Sequence, residues 1–532
     1  MVDGPRVFGF VGLNVGSSAP ARSKGCLSIN QRRRARFLTV ATDKASSSQA
    51  DITKAQSKSF VDGQDAIRDS QEETQPTLLD DVLRRLNVFR KTEYDGEILR
   101  MALPSYGSML MDPLASLVDT LFVGRLGVLQ LAGVGVANSL FCYFSWMFFF
   151  LVATTTSEVA IARATKSGTE QSERISKTVG GALWIAFTIG FVSLFFAWFG
   201  APLFISLFGA KGGVSAFAIE YLRIRAYALP AHMCFFVLTG ALRGLQDFDS
   251  PLFASVLCNV ANVVLDAFFM VGLGMGVAGV AAATTIAQVA SVSVLGWVVV
   301  RKGCLRLEHV FRLPCKAARD GILRPGAVMV MNEVSESVVL TVTSAMATRI
   351  GPVEGAAMAL ARQLWGILGV FWWPLAIVSQ SMAASLFAGK SIKAMRTVVG
   401  RMGQMAFYAA SMAGLLLVIT MPILPGLFIK DEAVKGATQL ILPIIALTLP
   451  FDAVVDVVGG ALTGCKQYAF VARTMVIAAT VSIALLFFLL HGLRLGLPGV
   501  WIALGCCSLT KLGLALPRYF KISRSVEPEP AH

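Results

Sequence analysis

The chain alternates long apolar blocks with short polar joints. Residues 141–152, 188–208 and 474–490 carry no charged side chain at all. A bilayer core about 30 Å thick takes about 20 helical residues to cross. Backbone polar groups cannot be left unpaired in lipid, so each such block is expected to be a helix. Twelve spans are predicted on this basis, at 98–124, 130–161, 178–208, 217–242, 251–272, 276–300, 322–348, 356–388, 397–428, 437–463, 470–492 and 497–517. The fold class is therefore all-α integral membrane.

The halves of this pattern repeat. Ile98-Leu99-Arg100 recurs as Ile322-Leu323-Arg324, and Arg125-Leu126-Gly127 as Arg349-Ile350-Gly351, displaced by about 224 residues. Farther on the displacement is about 220: Pro230 recurs as Pro450, Ala241-Leu242-x-Gly244 as Ala461-Leu462-x-Gly464, and Gly279-Val280 as Gly499-Val500. Six spans per half is an even number, so both halves enter the membrane in the same direction. The repeat is parallel, with its pseudo-two-fold axis along the membrane normal. Two six-helix lobes with a cleft between them follow, at 95–301 and 321–520, joined by a connector at 302–320. That is the architecture of a transporter.

Composition sharpens the reading. Of 532 residues, 55% are hydrophobic and 15% charged, against about 25% charged in soluble domains. A formal net charge of +14 raises the question of nucleic acid. The basic residues, however, sit in short loops between spans, at 163–177, 301–324, 390–401 and beyond 517, and not along one polar face. That distribution fits the positive-inside rule and puts both termini on the cytosol-like side. The nine cysteines are scattered without metal-ligand spacing, and no metal or cofactor is expected.

The N-terminus reads as an address. Within 1–40, Asp3 is the only acid, against Arg6, Arg22, Lys24, Arg32, Arg33, Arg34 and Arg36, with Ser17, Ser18, Ser23 and Ser28 interspersed. Acid-poor starts bearing Arg and Ser are the composition of organelle transit peptides. Residues 41–94 turn acidic and polar and read as a solvated linker, and 521–532 as a polar tail. A chloroplast envelope location is expected, with the plasma or vacuolar membrane as the alternative.

A charge inside a bilayer is costly enough that each intramembrane carboxylate is a functional candidate. Span one carries Asp112 and Asp119, two helical turns apart on one face. Pro113 lies between them and permits a hinge. Span five carries Asn262 and Asp266, one turn apart. Asp119 and Asp266 stand at similar distances from the outer ends of their spans, Gly124 and Gly272, which allows one shared pocket. Two carboxylates together in a low dielectric cannot both ionise cheaply, so the pair is suited to carrying a proton. In the second half, Asp112 maps onto Glu336, Glu333 stands one turn earlier, and span ten adds Asp452 and Asp456 as cavity or hinge residues. His232, His309, His491 and His532 have no neighbour at metal or triad spacing. A membrane-embedded hydrolase or acyltransferase has no reactive histidine pair to draw on.

At these residues a resemblance becomes legible. Leu117-Val118-Asp119-Thr120 followed by Gly124, preceded by Asp112-Pro113-Leu114-Ala115-Ser116, resembles the first helix of the multidrug and toxic compound extrusion (MATE) family, in its DinF-like plastid branch. Arg243-Gly244-Leu245-Gln246-Asp247 with Pro251, and Asn262-x-x-x-Asp266, resemble that branch's fourth loop and fifth helix. The resemblance covers roughly residues 95–520. It implies a monomeric antiporter in membrane lipid that exports small organic compounds, phenolic or organic acids among them, as H+ or Na+ runs inward. It also implies that Asp119, Asn262 and Asp266 form a first-lobe cation site, with Tyr221 and Thr284 as neighbours on looser motifs. Glu336 aligns with the acid that other branches carry in helix seven, while Met331-Asn332-Glu333 departs from the main plant signature. Which lobe couples transport is open at this point. The rival within the same superfamily is a lipid-linked oligosaccharide flippase, which would have a more cationic cavity.

The address is separable from the body. Residues 1–40 fused to a fluorescent protein are expected to enter plastids, and cytosolic or mitochondrial fluorescence would refute the plastid expectation.

Overall fold

The structure, a computed structural model, describes residues 92–310, 313–314 and 316–525. The expected transit segment, nearly all of the linker and the end of the tail lie outside the described residues. Among the described residues every regular element is helical, and the elements fall into twelve membrane helices. The first six are α1 Asp95–Gly124, α2 Val128–Trp146 with Phe150–Thr165, α3 Gly168–Leu207, α4 Gly213–Ala226 with Leu229–Gly244, α5 Asp249–Asp266, and α6 Gly276–Arg301. The second six are α7 Lys316–Ile350, α8 Pro352–Gly369 with Trp373–Ala388, α9 Ile392–Thr420, α10 Glu432–Gly464, α11 Tyr468–Phe487, and α12 Leu497–Ser525.

Eight of these elements are long and apolar enough to cross a membrane as they stand, and α4 and α8 bring the number to ten when each bent pair is taken as one span. The remaining two, α1 and α7, are 30 and 35 residues long. They are the first helices of the two repeats and the more polar ones, carrying Asp112 and Asp119, Glu333 and Glu336. The polar content of α1 and α7 is what a helix lining an aqueous cleft requires.

Several predicted spans differ from the observed helices. Those at 217–242 and 356–388 are bent by 52° and 46°. In both, the second half opens on a proline, Pro230 or Pro374, which has no N–H to continue the preceding turn. The span at 130–161 is interrupted between Trp146 and Phe150. The span at 397–428 ends at Thr420, and Pro422 and Pro425 restart the chain as a separate short helix, Leu424–Phe428. The connector expected at 302–320 contains the short helix Leu307–Val310 and gives way to α7 at Lys316, and α12 runs five residues into the expected tail.

The repeat is visible in backbone detail that side chains alone would not preserve. α5 and α11 each end in a π turn, Ala267–Gly272 and Phe488–Gly492. Left-handed residues follow at matching places: Gly274 and Arg494 at φ 66° and 53°, then Gly276 and Gly496 at 59° and 60°. Gln246 and Lys466, at φ 63° and 58°, form the turns after α4 and α10. Such conformations are uncommon outside glycine. Their recurrence at Gln246, Lys466 and Arg494 shows that the turn geometry is kept where the side chains have diverged.

Each lobe has its own apolar core. Val179, Leu222, Met233 and Val280 belong to the first, and Met358, Val398, Leu449 and Val500 to the second. α1 crosses between them. Its opening residues Ile98, Met101 and Ala102 are buried in the second lobe's core, while Val123 near its end is buried in the first. Close approach between helices depends on glycine at Gly464, where a Cβ would stand 2.4 Å from the carbonyl oxygen of Gln380.

The lobes meet through the halves of the helices on the basic side. Gln380 in α8 donates to the carbonyl of Ala153 (2.7 Å) and to Ser157 Oγ (3.3 Å) in α2, and Ser157 donates to the carbonyl of Thr463 in α10 (3.2 Å). Ser381 donates to the carbonyl of Arg243 at 2.5 Å, and Lys466 pairs with Glu158 at 2.6 Å. At the start of α1, Asp95 takes two bonds from Arg401 of α9, at 2.9 and 2.8 Å. Nearer mid-membrane, Tyr106 donates to the carbonyl of Phe371 at 2.7 Å. The opposite halves of α2 and α8 pack within their own lobes, against the first half of α4 and against α10 and α7. These interlobe contacts close the lobes against each other toward the termini.

Two outcomes follow. Lys466→Glu sets two carboxylates against each other at the closed end, so a cysteine at Ser157 is expected to become more reactive to an impermeant maleimide from that side. Separately, hydrogen bonds from Arg401 hold the Asp95 carboxyl well below the usual carboxylate range, against the opposing effect of burial. A depressed folded-state value stabilises at pH above the unfolded value of about 3.9 and is lost as pH falls below it. Asp95→Asn is expected to lower Tm at pH 7, with the gap to wild type closing as the pH drops below about 4.

Candidate functional site: two unlike acidic clusters

In the first lobe three helices each present two residues one turn apart. α4 gives Tyr221 and Arg225, α5 gives Asn262 and Asp266, and α6 gives Thr284 and Gln288. Helical spacing of four puts each pair on one face, and the three faces converge on Asp119 from α1. The Asp119 and Asp266 carboxyl groups meet at hydrogen-bonding separation. Asp266, Asn262 and Tyr221 are buried. Asp119 Oδ1 and both oxygens of Asp266 are enclosed, and among the described residues no donor reaches them.

Neighbours complete the pocket. Asn262 Nδ2 donates to Thr284 Oγ1 (3.2 Å), whose hydroxyl donates to the carbonyl of Val280 (2.9 Å). Tyr221 is also hydrogen-bonded to Thr284. Arg225 lies buried with its guanidinium 4.0 Å from the centre of the Phe141 ring, donates to Gln288 Oε1 at 2.9 Å, and places its charge near Asp119. The structure thus brings together all five residues expected here: Asp119, Asn262, Asp266, Tyr221 and Thr284. Of Asp112 the structure describes the backbone, which with Pro113 lies inside the continuous helix α1.

The second lobe gathers a different set. Glu333 and Glu336 of α7 stand near each other and near Lys511 of α12. From α10, Asp452 accepts from Trp365 Nε1 (3.2 Å) and is hydrogen-bonded to Ser508 of α12. Asp456 accepts from Trp372 Nε1 at 2.9 Å. Glu333 is half-buried, and the Trp372-Trp373 pair supplies a donor and packing rather than an open aromatic wall, since Trp372 is fully enclosed.

Sequence reasoning missed Lys511, although the signal was present: a lysine in the middle of the apolar block 497–517 is as costly as an acid. Arg225 lies within the predicted span at 217–242, but spacing alone gives its side chain no direction. Arg223 and Arg362, equally near spans in the sequence, are engaged elsewhere, the first against Trp198 and the second with Ser344 Oγ at 2.9 Å. Gln288 has no sequence signal beyond its position one turn after Thr284. His232 packs among Phe141, Phe235 and Phe236.

Comparison with known proteins bears on the whole arrangement. The MatE family model matches twice, at residues 104–268 and 329–488, a displacement that repeats the one between the lobes. The chain is 29% identical to "Protein DETOXIFICATION 44, chloroplastic" of Arabidopsis thaliana, over 77% of this chain and 79% of that one. It is 31% identical to "DNA damage-inducible protein F" of Escherichia coli K12, over 44% and 50% of the two chains. A crystal structure of a variant of the Vibrio cholerae MATE transporter VcmN superposes with a TM-score of 0.74 at 17% identity, covering 81% of this chain and 97% of the other. With a family model matched over more than half its length and a shared twelve-helix fold, this multi-pass membrane protein belongs to the MatE family of multidrug and toxic compound extrusion transporters.

Proposed function

We propose that this transporter is a cation-coupled antiporter in which Asp119 and Asp266 carry the coupling ion. The observation behind this reading is the contact between two carboxyl groups of which both oxygens of Asp266 and Oδ1 of Asp119 are enclosed and receive no donor. An ionised carboxylate only accepts hydrogen bonds, so two of them can touch only around a shared proton or a bound cation. Neither state is stable when both acids are ionised and empty. Loss of the proton or cation would drive the two groups apart and strain the packing of α1 against α5. Asn262 and Thr284 hold the rim of the pocket through either state, and Arg225 limits how much negative charge Asp119 exposes.

The pocket lies beyond the closed half of the cleft, on the side away from the termini, so an ion entering from there reaches it first. Binding or release changes the position of α1, whose opening residues are buried in the second lobe. That connection supports alternating access, with a small organic compound leaving the cytosol-like side in exchange for H+ or Na+. Both lobes and the cleft come from one chain, which suits a monomer. The Arg- and Ser-bearing start of the chain, together with similarity to a relative named as chloroplastic, supports placement in a plastid membrane with the stroma on the closed side.

The test is gradient-driven export from proteoliposomes under an imposed pH or sodium gradient. Asp119→Asn and Asp266→Asn each fix a neutral side chain of the same shape. Each is expected to lower coupled export about tenfold or more while the protein still folds. The double variant is expected to be little worse than either single one, because groups acting as a unit are not additive. Glu336→Gln is expected to impair export less. Normal export by Asp119→Asn with none by Glu336→Gln would move the coupling site to the second lobe.

A further inference from the structure

A guanidinium enclosed in a membrane lobe has to be balanced, because it stays protonated and cannot shed its charge as a lysine can. Arg225 is only 4% exposed. Its direct contacts are neutral: it donates to Gln288 Oε1 at 2.9 Å and lies 4.0 Å from the centre of the Phe141 ring. Among the described residues no acceptor reaches its Nε. Helix packing does not require an arginine here. The displacement that carries Pro230 onto Pro450 carries Arg225 onto Ile445 of α10, which is fully buried. A charge kept where an aliphatic side chain serves the fold answers to something else nearby.

The hydrogen bonds order the pocket by depth. Asn262 of α5 and Thr284 of α6 are bonded at 3.2 Å and share one level. α5 runs away from the termini and α6 runs back toward them, so one further turn leads in opposite directions on the two helices. Asp266 stands one turn farther from the termini than that level, where it meets Asp119. Gln288 stands one turn nearer, where it holds Arg225. Side chains lean toward the start of their own helix. The acids on α1 and α5 therefore lean toward the termini and Arg225 on α4 leans away from them, so the two sets converge on the Asn262–Thr284 level. The enclosed atoms without a partner follow the same order, with Asp119 Oδ1 and both Asp266 oxygens on one side and Arg225 Nε on the other. The other titratable side chains around this space are Tyr221, bonded to Thr284, and His232, edge-on to the Phe141 ring at 5.6 Å. Neither supplies a carboxylate. Among the described residues the acids brought to this pocket are Asp119 and Asp266.

Two ionised carboxylates and one guanidinium leave a single net negative charge. One positive charge, a monovalent cation or a proton, brings the pocket to neutrality, whereas a divalent ion would leave an uncompensated positive charge in the lobe. We propose that Arg225 is the fixed counter-charge of the Asp119–Asp266 pair and sets the valence of the site, so that the first lobe exchanges one monovalent positive charge and refuses divalent cations. The inference rests on the first-lobe reading above and adds its charge count. Arg225 acts through the two acids and is a positioning residue.

The test is thermal unfolding of the purified full-length protein in NaCl, CaCl2 and choline chloride at matched ionic strength, at pH 6 and pH 8. Wild type is expected to show a saturable rise in Tm with Na+ or on acidification, and none with Ca2+. Arg225→Met leaves two net negative charges and is expected to respond to Ca2+, half-saturating at a concentration about tenfold or more below any at which wild type responds. Arg225→Lys keeps the charge and is expected to stay blind to Ca2+. Arg225→Met/Asp119→Asn removes one charge of each sign and is expected to lose the Ca2+ response again, which a packing role for Arg225 would not produce. A folded Arg225→Met protein without a Ca2+ response overturns the proposal, and so does a wild-type Ca2+ response that disappears in Asp119→Asn/Asp266→Asn. A wild-type Na+ or proton response that survives in Asp119→Asn/Asp266→Asn refutes the first-lobe reading itself. Where Arg225→Met shows no cooperative unfolding, Arg225→Gln removes the charge but keeps a donor for Gln288 and is read against the same outcomes.

Discussion

Taking a carboxylate out of water without a partner is so expensive that a protein must answer for every acid it places in a membrane. The two lobes of this transporter give different answers, and most of the structure follows from them. In the second lobe Asp452 and Asp456 receive fixed partners: two tryptophan N–H groups and a serine hydroxyl. In the first, Asp119 and Asp266 are set against each other with no donor between them. A fully satisfied cluster rigidifies its surroundings. An unsatisfied pair stores a requirement for something mobile. On the proposed reading the transporter has one lobe that holds its shape and one whose shape depends on occupancy.

The helix that carries Asp119 is also the one that joins the lobes. α1 begins in the second lobe's core, pinned by the Asp95–Arg401 pair, and ends in the first lobe's core at Val123. A change at Asp119 cannot be absorbed by the first lobe alone. Such coupling needs a discrete element that both sites bias, and a helix embedded in two cores meets that description.

Much of this was legible in the chain. The twelve helices, the parallel repeat and the pocket of Asp119, Asn262 and Asp266 follow from block length, displaced motifs and helical spacing, all local signals. The breaks in α2, α4 and α8 were less legible. Pro230 and Pro374 mark two of them, but whether a proline ends a span or bends it depends on what packs beside it. Partners contributed from distant helices were not legible at all. Nothing in the sequence marks Trp365 or Trp372 as donors, and only the fold shows their N–H groups aimed at Asp452 and Asp456. The direction of Arg225 was equally hidden, since an arginine two positions away on α4 would face the opposite side of the helix.

Lys511 shows where the limit lies. A lone lysine in an apolar block is visible, but its meaning depends on helices about 60 and 175 residues away in the chain, and no spacing rule reaches that far. The repeat does extend that far, and it marks Lys511 as unmatched. A duplicated fold begins with two equivalent lobes, so each difference in intramembrane charge between them is a place where the lobes have taken separate tasks. Gln246, Lys466 and Arg494 hold matching strained turns despite different side chains, which shows that the shared frame was retained under such divergence. The charges therefore diverged on a fixed scaffold, and the comparison of like positions isolates chemistry from shape.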